Sequence, residues 1–178
     1  KIDRSKIMLH LSQAVESQIG DNPSQAAEEL KRAIDAGLDN MAAYFQLGML
    51  RFEANRFESA VRYLQRSVQH PDFALGSRLL LGEAFSTMGR TQDAAVEYME
   101  ALKLADVAIV TVEQADGLRQ LYDPLIEAQA QEANEEQQKQ LSGSISEMLM
   151  RDDWRNHLQQ FRSQSMADFD DGQLTPLA

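Results

Sequence analysis

AAYFQLGMLRFEANRFESAVRYLQRSV, residues 42–68, sets a glycine, Gly48, in the middle of a run that otherwise has the composition of a helix. A glycine in a helix interior costs about 0.5–1 kcal/mol relative to alanine, so a helix that keeps one usually has another chain segment close to its backbone. A fixed step along the chain identifies that segment. Leu47-Gly48 recurs 34 residues later as Leu81-Gly82, and Ala26, Ala60 and Ala94 are spaced by the same 34. Four residues after each alanine stands a large side chain: Leu30, Leu64 or Tyr98. Two small residues per unit, kept in phase, suit a stack of helix pairs in which each unit buries its apolar face only against its neighbours.

The pattern resembles the tetratricopeptide repeat: aromatic-x2-Leu-Gly-x2-aromatic, then Ala-x3-aromatic, then proline, over 34 residues. The second unit fits best, with Tyr44, Leu47, Gly48, Ala60 and Leu64, and Pro71 one place early; Arg51 stands in the second aromatic slot, beside Phe52. The third has Leu81, Gly82, Phe85, Gly89, Ala94, Tyr98 and Ala101, but Arg78 replaces the first aromatic and Asp106 the proline. In the first unit His10, Gln13, Ala14 and Ser17 fill the leading slots, and only its second helix, with Ala26, Leu30 and Ala33, keeps the pattern. The resemblance covers roughly residues 5–105 and implies an all-α solenoid of about three helix pairs. It also implies that Gly48 with Ala60, and Gly82 with Ala94, are the small residues at which two helices cross.

Composition agrees with helix throughout. Four prolines, nine glycines and abundant Ala, Leu, Gln and Glu favour it, and 43% hydrophobic residues in 178 suffice for a core. The net charge is −11, carried mainly by the C-terminal part: residues 1–105 hold 12 basic and 14 acidic side chains, residues 106–178 hold 5 and 14. That balance opposes nucleic-acid binding, which needs clustered Lys and Arg. The absence of cysteine excludes disulfides and thiolate chemistry and fits a reducing, cytoplasmic compartment. The longest apolar run, around Val107 to Val112, is far below the roughly 20 residues of a membrane helix, so no membrane span and no secretory leader are expected. A first residue of Lys1 is read as the edge of a piece of a longer polypeptide.

Helices are expected at about 4–19, 23–36, 41–54, 57–69, 74–88 and 91–104. Asp21-Asn22-Pro23 forms a turn, Gly37 and Gly89 suit helix C-termini, and Asp72 or Thr91 caps the next helix. Three repeats are placed at about 5–38, 41–72 and 75–106, within 1–105. Past Asp106 the period stops, and a C-terminal helical extension, 106–166, is expected to cap the array. Within it one helix spans about 108–133, with Gly117 and Pro124 as kinks, and Glu132 to Leu141 reads as solvated helix. Ser142-Gly143 then interrupts, and Ser144-x-x-Glu147 is a capping box opening a helix whose apolar face holds Ile145, Met148, Leu149, Trp154, Leu158 and Phe161. Residues 167–178 read as an acidic tail or linker.

No catalytic constellation emerges. The adjacent acids Glu28-Glu29, Glu135-Glu136, Asp152-Asp153 and Asp170-Asp171 point about 100° apart on a helix, and His10, His70 and His157 lack metal-ligand spacing. With no phosphate loop or dinucleotide fingerprint, the chain reads as non-enzymatic, with no cofactor and no metal. Carried over from the family, the groove along the first helix of each unit is the functional surface. Its slots hold Met8, Leu11 and Val15, then Phe45, Met49 and Phe52, then Leu79 and Glu83, with Glu53 and Thr87 at further slots. Family members that grip carboxylates use Lys and Asn there. These slots are mostly apolar and point instead to a partner helix or extended segment of protein. The alternative is a structural homodimer whose groove is filled by its own or a second copy's C-terminal helix, with Trp154, Leu158 and Phe161 as plugs.

Overall fold

The computed structural model describes residues 1–132 and 134–170. Among them are nine helices: α1 Arg4–Ile19, α2 Pro23–Asp35, α3 Met41–Glu53, α4 Phe57–Ser67, α5 Pro71–Thr87, α6 Thr91–Ala108, α7 Val112–Gln131, α8 Glu135–Leu149 and α9 Trp154–Asp170. The all-α expectation holds. The chain divides into two compact units, Lys1–Ala84 and Phe85–Ala178, with the boundary inside α5.

In the first unit α1 packs on α2, α2 on α3 and α3 on α4. One core cluster joins Ala14 of α1, Ala26, Ala27 and Leu30 of α2, and Leu47 and Leu50 of α3; Leu11, Ile34 and Tyr63 pack against it. The small residues let helices approach and the leucines fill the space between them, so alternating volume sets the spacing. At Gly48 the close neighbour is Leu64 rather than Ala60: a Cβ built on the glycine would lie 2.8 Å from Leu64 Cδ2. Both residues are buried, and the missing methyl is the space the leucine fills.

The turns inside each helix pair repeat with the same period. Asp21, Asn55 and Gly89, each 34 from the next, all take positive φ, at 53°, 60° and 76°. The following N–H then reaches back to the carbonyl five residues earlier: Asn22 to Ser17, Arg56 to Arg51 and Arg90 to Phe85, each at 2.8 Å. This pattern consumes carbonyls that a helix end leaves unpaired. Asp and Asn tolerate the left-handed region better than other side chains, and glycine enters it freely. Gly37 closes α2 in the same way, at φ 110° with Leu38 N–H donating to Ala33 O. Asp3, Asn22 and Asn40 cap α1, α2 and α3 by accepting backbone N–H groups three residues on.

In the second unit α6 carries both α7 and α8, and α8 meets α9. Its buried residues include Tyr98 and Leu102 of α6, Tyr122 and Ile126 of α7, Ile145 and Leu149 of α8, and Leu158 of α9. A polar pin crosses this unit. Buried Asp106 accepts from Arg162 Nε on α9 at 2.9 Å and from the Tyr122 hydroxyl on α7, and a second guanidinium nitrogen of Arg162 reaches it at 2.5 Å.

Several expected boundaries are corrected. Ser142-Gly143 does not interrupt: α8 runs from Glu135 through both, and the expected capping box at Ser144 is absent because Ser144 lies inside the helix. The roughly 1 kcal/mol cost of one glycine is small beside a face in which Gln138, Ser142, Ile145 and Leu149 are buried at helical spacing. Hence the segment 132–141 is not solvated all round, as Gln138 is buried. The apolar set from Ile145 to Phe161 is shared by two helices, since α8 ends at Leu149 and α9 begins at Trp154. The expected helix 108–133 splits off its first residues, because α6 runs to Ala108 and α7 begins at Val112 after Thr111, whose N–H donates to Gln114 Oε1. At α5, Pro71 opens the helix and Asp72 sits in its first turn rather than capping it. Arg90, not Thr91, occupies the cap position of α6; its side chain caps no backbone N–H and donates instead to Asp93 at 2.8 Å. The helix α9 continues to Asp170, into the stretch expected as tail; the remainder of that expectation, 171–178, lies outside the described residues.

Candidate functional site

The expected groove residues other than Thr87 belong to the first unit. On α1, Met8, Leu11, Val15 and Ile19 follow each other at three- and four-residue steps and so share one helix face. Met8 is 64%, Val15 54% and Ile19 82% exposed, while Leu11 is half-buried against the core cluster. Such a row is the opposite of what folding alone would leave on an exposed helix face, because burying each side chain is worth about 1.5–3 kcal/mol. On α3, Phe45, Met49 and Phe52 are half-buried. Phe45 stacks on Phe73 of α5 with ring centres 5.3 Å apart, and its ring lies where a Cβ on Gly76 would come within 3.2 Å. Phe52 meets Phe57 of α4 edge-on at 5.4 Å. On α5, Leu79 is buried and Glu83 half-buried.

The helices that present these residues are tied together by charge. His10 Nδ1 lies 2.7 Å from Glu29 Oε2, linking α1 to α2, and Gln25 and Arg32 bond the other Glu29 oxygen. Burial pushes the Glu29 carboxyl upward, but the hydrogen bond with His10 and the Arg32 charge outweigh it and hold the group below the ordinary carboxylate range. Arg51, in the slot where the repeat pattern carries an aromatic, is buried and reaches Glu28 of α2 at 3.0 Å, linking α2 to α3. Its aliphatic stem fills part of the aromatic volume while the guanidinium is paired. The Tyr44 hydroxyl donates to Asp39, and the Arg66 guanidinium lies 4.0 Å from the centre of the Tyr44 ring. Burial, then the bond to Asp39, raises the Tyr44 phenol above its ordinary value.

Two contributors are not apparent from the sequence reading. Ile19 is the most exposed member of the α1 row, and it stands 34 residues before Glu53, one of the further slots, so the period itself points to it. Phe73 falls outside α5 as expected from 74; Pro71, favoured at a first helical position, is the signal for the earlier start. Trp154 is half-buried, with the Arg155 guanidinium over its ring at 4.8 Å, and Leu158 is fully buried in the second unit.

Among the described residues no group of three or more His, Asp or Glu side chains is placed to hold a metal ion. No described helix is long and apolar enough to cross a membrane. Compared with known families, residues 42–69 and 75–107 match the tetratricopeptide repeat. Neither the curated proteins nor the solved structures gave a match.

Proposed function

We propose, for a chain that carries tetratricopeptide repeats at residues 42–69 and 75–107, that the apolar row of α1 and the half-buried Phe45, Met49 and Phe52 of α3 bind an amphipathic helix of a protein partner. Repeats of this family generally mediate protein–protein interaction. The observation that carries the reading is the exposure of Met8, Val15 and Ile19 on one face of α1. Their spacing is that of a helix-in-groove contact, in which anchors recur every three or four residues. Met8 and Met49 are flexible and polarizable, which lets the surface adapt to the partner. Phe45 and Phe52, each already against another aromatic ring, supply firm walls, and Leu79 supports from the core. The partner is recognised by shape and apolar complementarity, with no bond chemistry.

Val15→Asp combined with Met49→Asp tests this. Val15 is exposed and Met49 half-buried, so the helical spectrum and melting transition are expected to stay close to those of the wild type. Partners captured by the wild-type chain are expected to be lost, with affinity falling on the order of a hundredfold, since a buried unpaired carboxylate at a contact centre costs several kcal/mol. Retention of those partners by the folded double variant overturns the assignment. Light scattering separates the alternative: a dimer that the same variant dissolves shows that a second copy of this chain covers the row.

A further inference from the structure

We propose that His70 is a positioning residue for the Phe45 wall of the site and makes binding there weaken on acidification, an inference that rests on reading that site as a docking surface. His70-Pro71-Asp72-Phe73 forms the corner between α4 and α5. Pro71 has no N–H, so the first donor of α5 is the N–H of Asp72. It donates to His70 Nδ1 at 3.1 Å, and the Phe73 N–H donates to His70 O at 3.0 Å. The imidazole thus caps α5 as Asp3, Asn22 and Asn40 cap α1, α2 and α3. A ring nitrogen that accepts carries no proton, so this bond belongs to the neutral ring with its hydrogen on Nε2.

The cap reaches the site through two rings. The His70 and Phe73 ring centres lie 5.5 Å apart, and Phe73 stacks on Phe45 of α3 at 5.3 Å. All three side chains are half-buried, and Phe45 also lies over Gly76 of α5, so the placing of the first turn of α5 sets where the Phe45 wall stands. Protonation removes the acceptor. An imidazolium has no lone pair to offer, and its charge is disfavoured at a helix N-terminus. The cap bond is therefore present while the ring is neutral and lost as pH falls through the range in which histidine takes up its second proton. Asp72 draws the protonated ring the other way: its carboxylate lies 3.9 Å from Nδ1, but at 80% exposure it is a weak partner. The nearest charge on α4, Arg66, lies over the Tyr44 ring and 3.9 Å from Asp39. On α3 only Arg51 and Glu53 are charged, and both stand more than a turn beyond Phe45, as Arg78 of α5 stands more than a turn beyond Asp72.

The test titrates the full chain between about pH 8 and about pH 5 and follows the Asp72 amide and the ring signals of His70, Phe73 and Phe45 by NMR. In parallel, anisotropy reads the binding of a fluorescent leucine–glutamine amphipathic peptide of about 18 residues, or five turns, which has no side chain to titrate. In the wild type the four signals are expected to shift with one midpoint, and peptide affinity to fall about threefold to tenfold on acidification, the usual worth of a cap. His70→Asn supplies an acceptor that does not titrate. It is expected to bind within about twofold of the wild type at the higher pH and to lose the pH dependence, whereas His70→Ala is expected to bind there as weakly as the acidified wild type. Phe45 signals that stay still while His70 titrates overturn the positioning role. A pH dependence that persists in His70→Asn also overturns it, by assigning the effect to another group, His10 on α1 first. A folded chain that binds the peptide at neither pH contradicts the docking surface itself, and the Phe45 shifts then decide the coupling to His70 by themselves.

Discussion

Asp106→Ala is expected to destabilise the unit of residues 85–178 by roughly 3–5 kcal/mol, the range for removing one partner of a buried ion pair. Asp106 accepts bonds from two groups that have few alternatives: the Arg162 guanidinium, three-quarters buried, and the buried Tyr122 hydroxyl. Removing the carboxylate leaves the guanidinium charge uncompensated and the phenol proton without its acceptor, with only the bond from Arg162 to the Tyr122 oxygen remaining. Burial, the largest cause of the raised Tyr122 phenol, persists in the variant, so the phenol stays neutral and the bond it already accepts from Arg162 at 3.2 Å cannot compensate the guanidinium charge. The cost should fall near the lower end because the guanidinium can turn partly toward water. Asp106→Asn, which keeps an acceptor oxygen, is expected to lose less. The measurement is urea unfolding followed by the fluorescence of Trp154, the single tryptophan, on α9. A loss below about 1 kcal/mol, the scale of a surface pair, would show that the triad does not pin α9 to α6 and α7.

The second large effect is a change of sign. Leu64→Ala is expected to cost about 2–5 kcal/mol, as for a fully buried leucine whose site collapses only in part. Gly48→Ala in the wild-type chain places a methyl 2.8 Å from Leu64 and is expected to cost about 1–3 kcal/mol through overpacking, despite alanine's better helix propensity. With Leu64 already truncated, the same Gly48→Ala fills vacated space and gains about 0.5–1 kcal/mol of propensity. A substitution that destabilises in one background and stabilises in the other is the signature of direct contact, read from a double-mutant cycle by denaturant unfolding. Additive effects would contradict the packing of Leu64 over the glycine.

The period is legible because it is carried by residues whose physical role leaves little choice. Gly48 and Ala60 are small where helices approach, and Leu47, Leu64 and Leu81 are large where they interlock. The 34-residue recurrence of the left-handed turn position is harder to see, since Asp21, Asn55 and Gly89 share a backbone conformation and not a side chain. Beyond Asp106 no period constrains the reading. Gly143 reads as a breaker, yet nothing local distinguishes a glycine that ends a helix from one tolerated by a packed face such as that of Ile145 and Leu149. The α1 surface row is half legible: the repeat slots mark Met8, Leu11 and Val15, but sequence alone does not tell an exposed Val15 from a buried Leu79. The Asp106–Arg162–Tyr122 pin is not legible, because its members are up to 56 residues apart and polar residues carry no periodic signal.

Amide hydrogen exchange, compared between the free chain and the chain bound to a partner that Val15→Asp with Met49→Asp fails to capture, addresses the proposed function most directly. Helix α1 buries only Ile7 and Ala14, so its amides are expected to exchange readily in the free chain and to have much protection to gain. Binding along the apolar row predicts slowed exchange in α1 and α3. Exchange in α1 that is unchanged by a bound partner, with slowing confined to other helices, would contradict it.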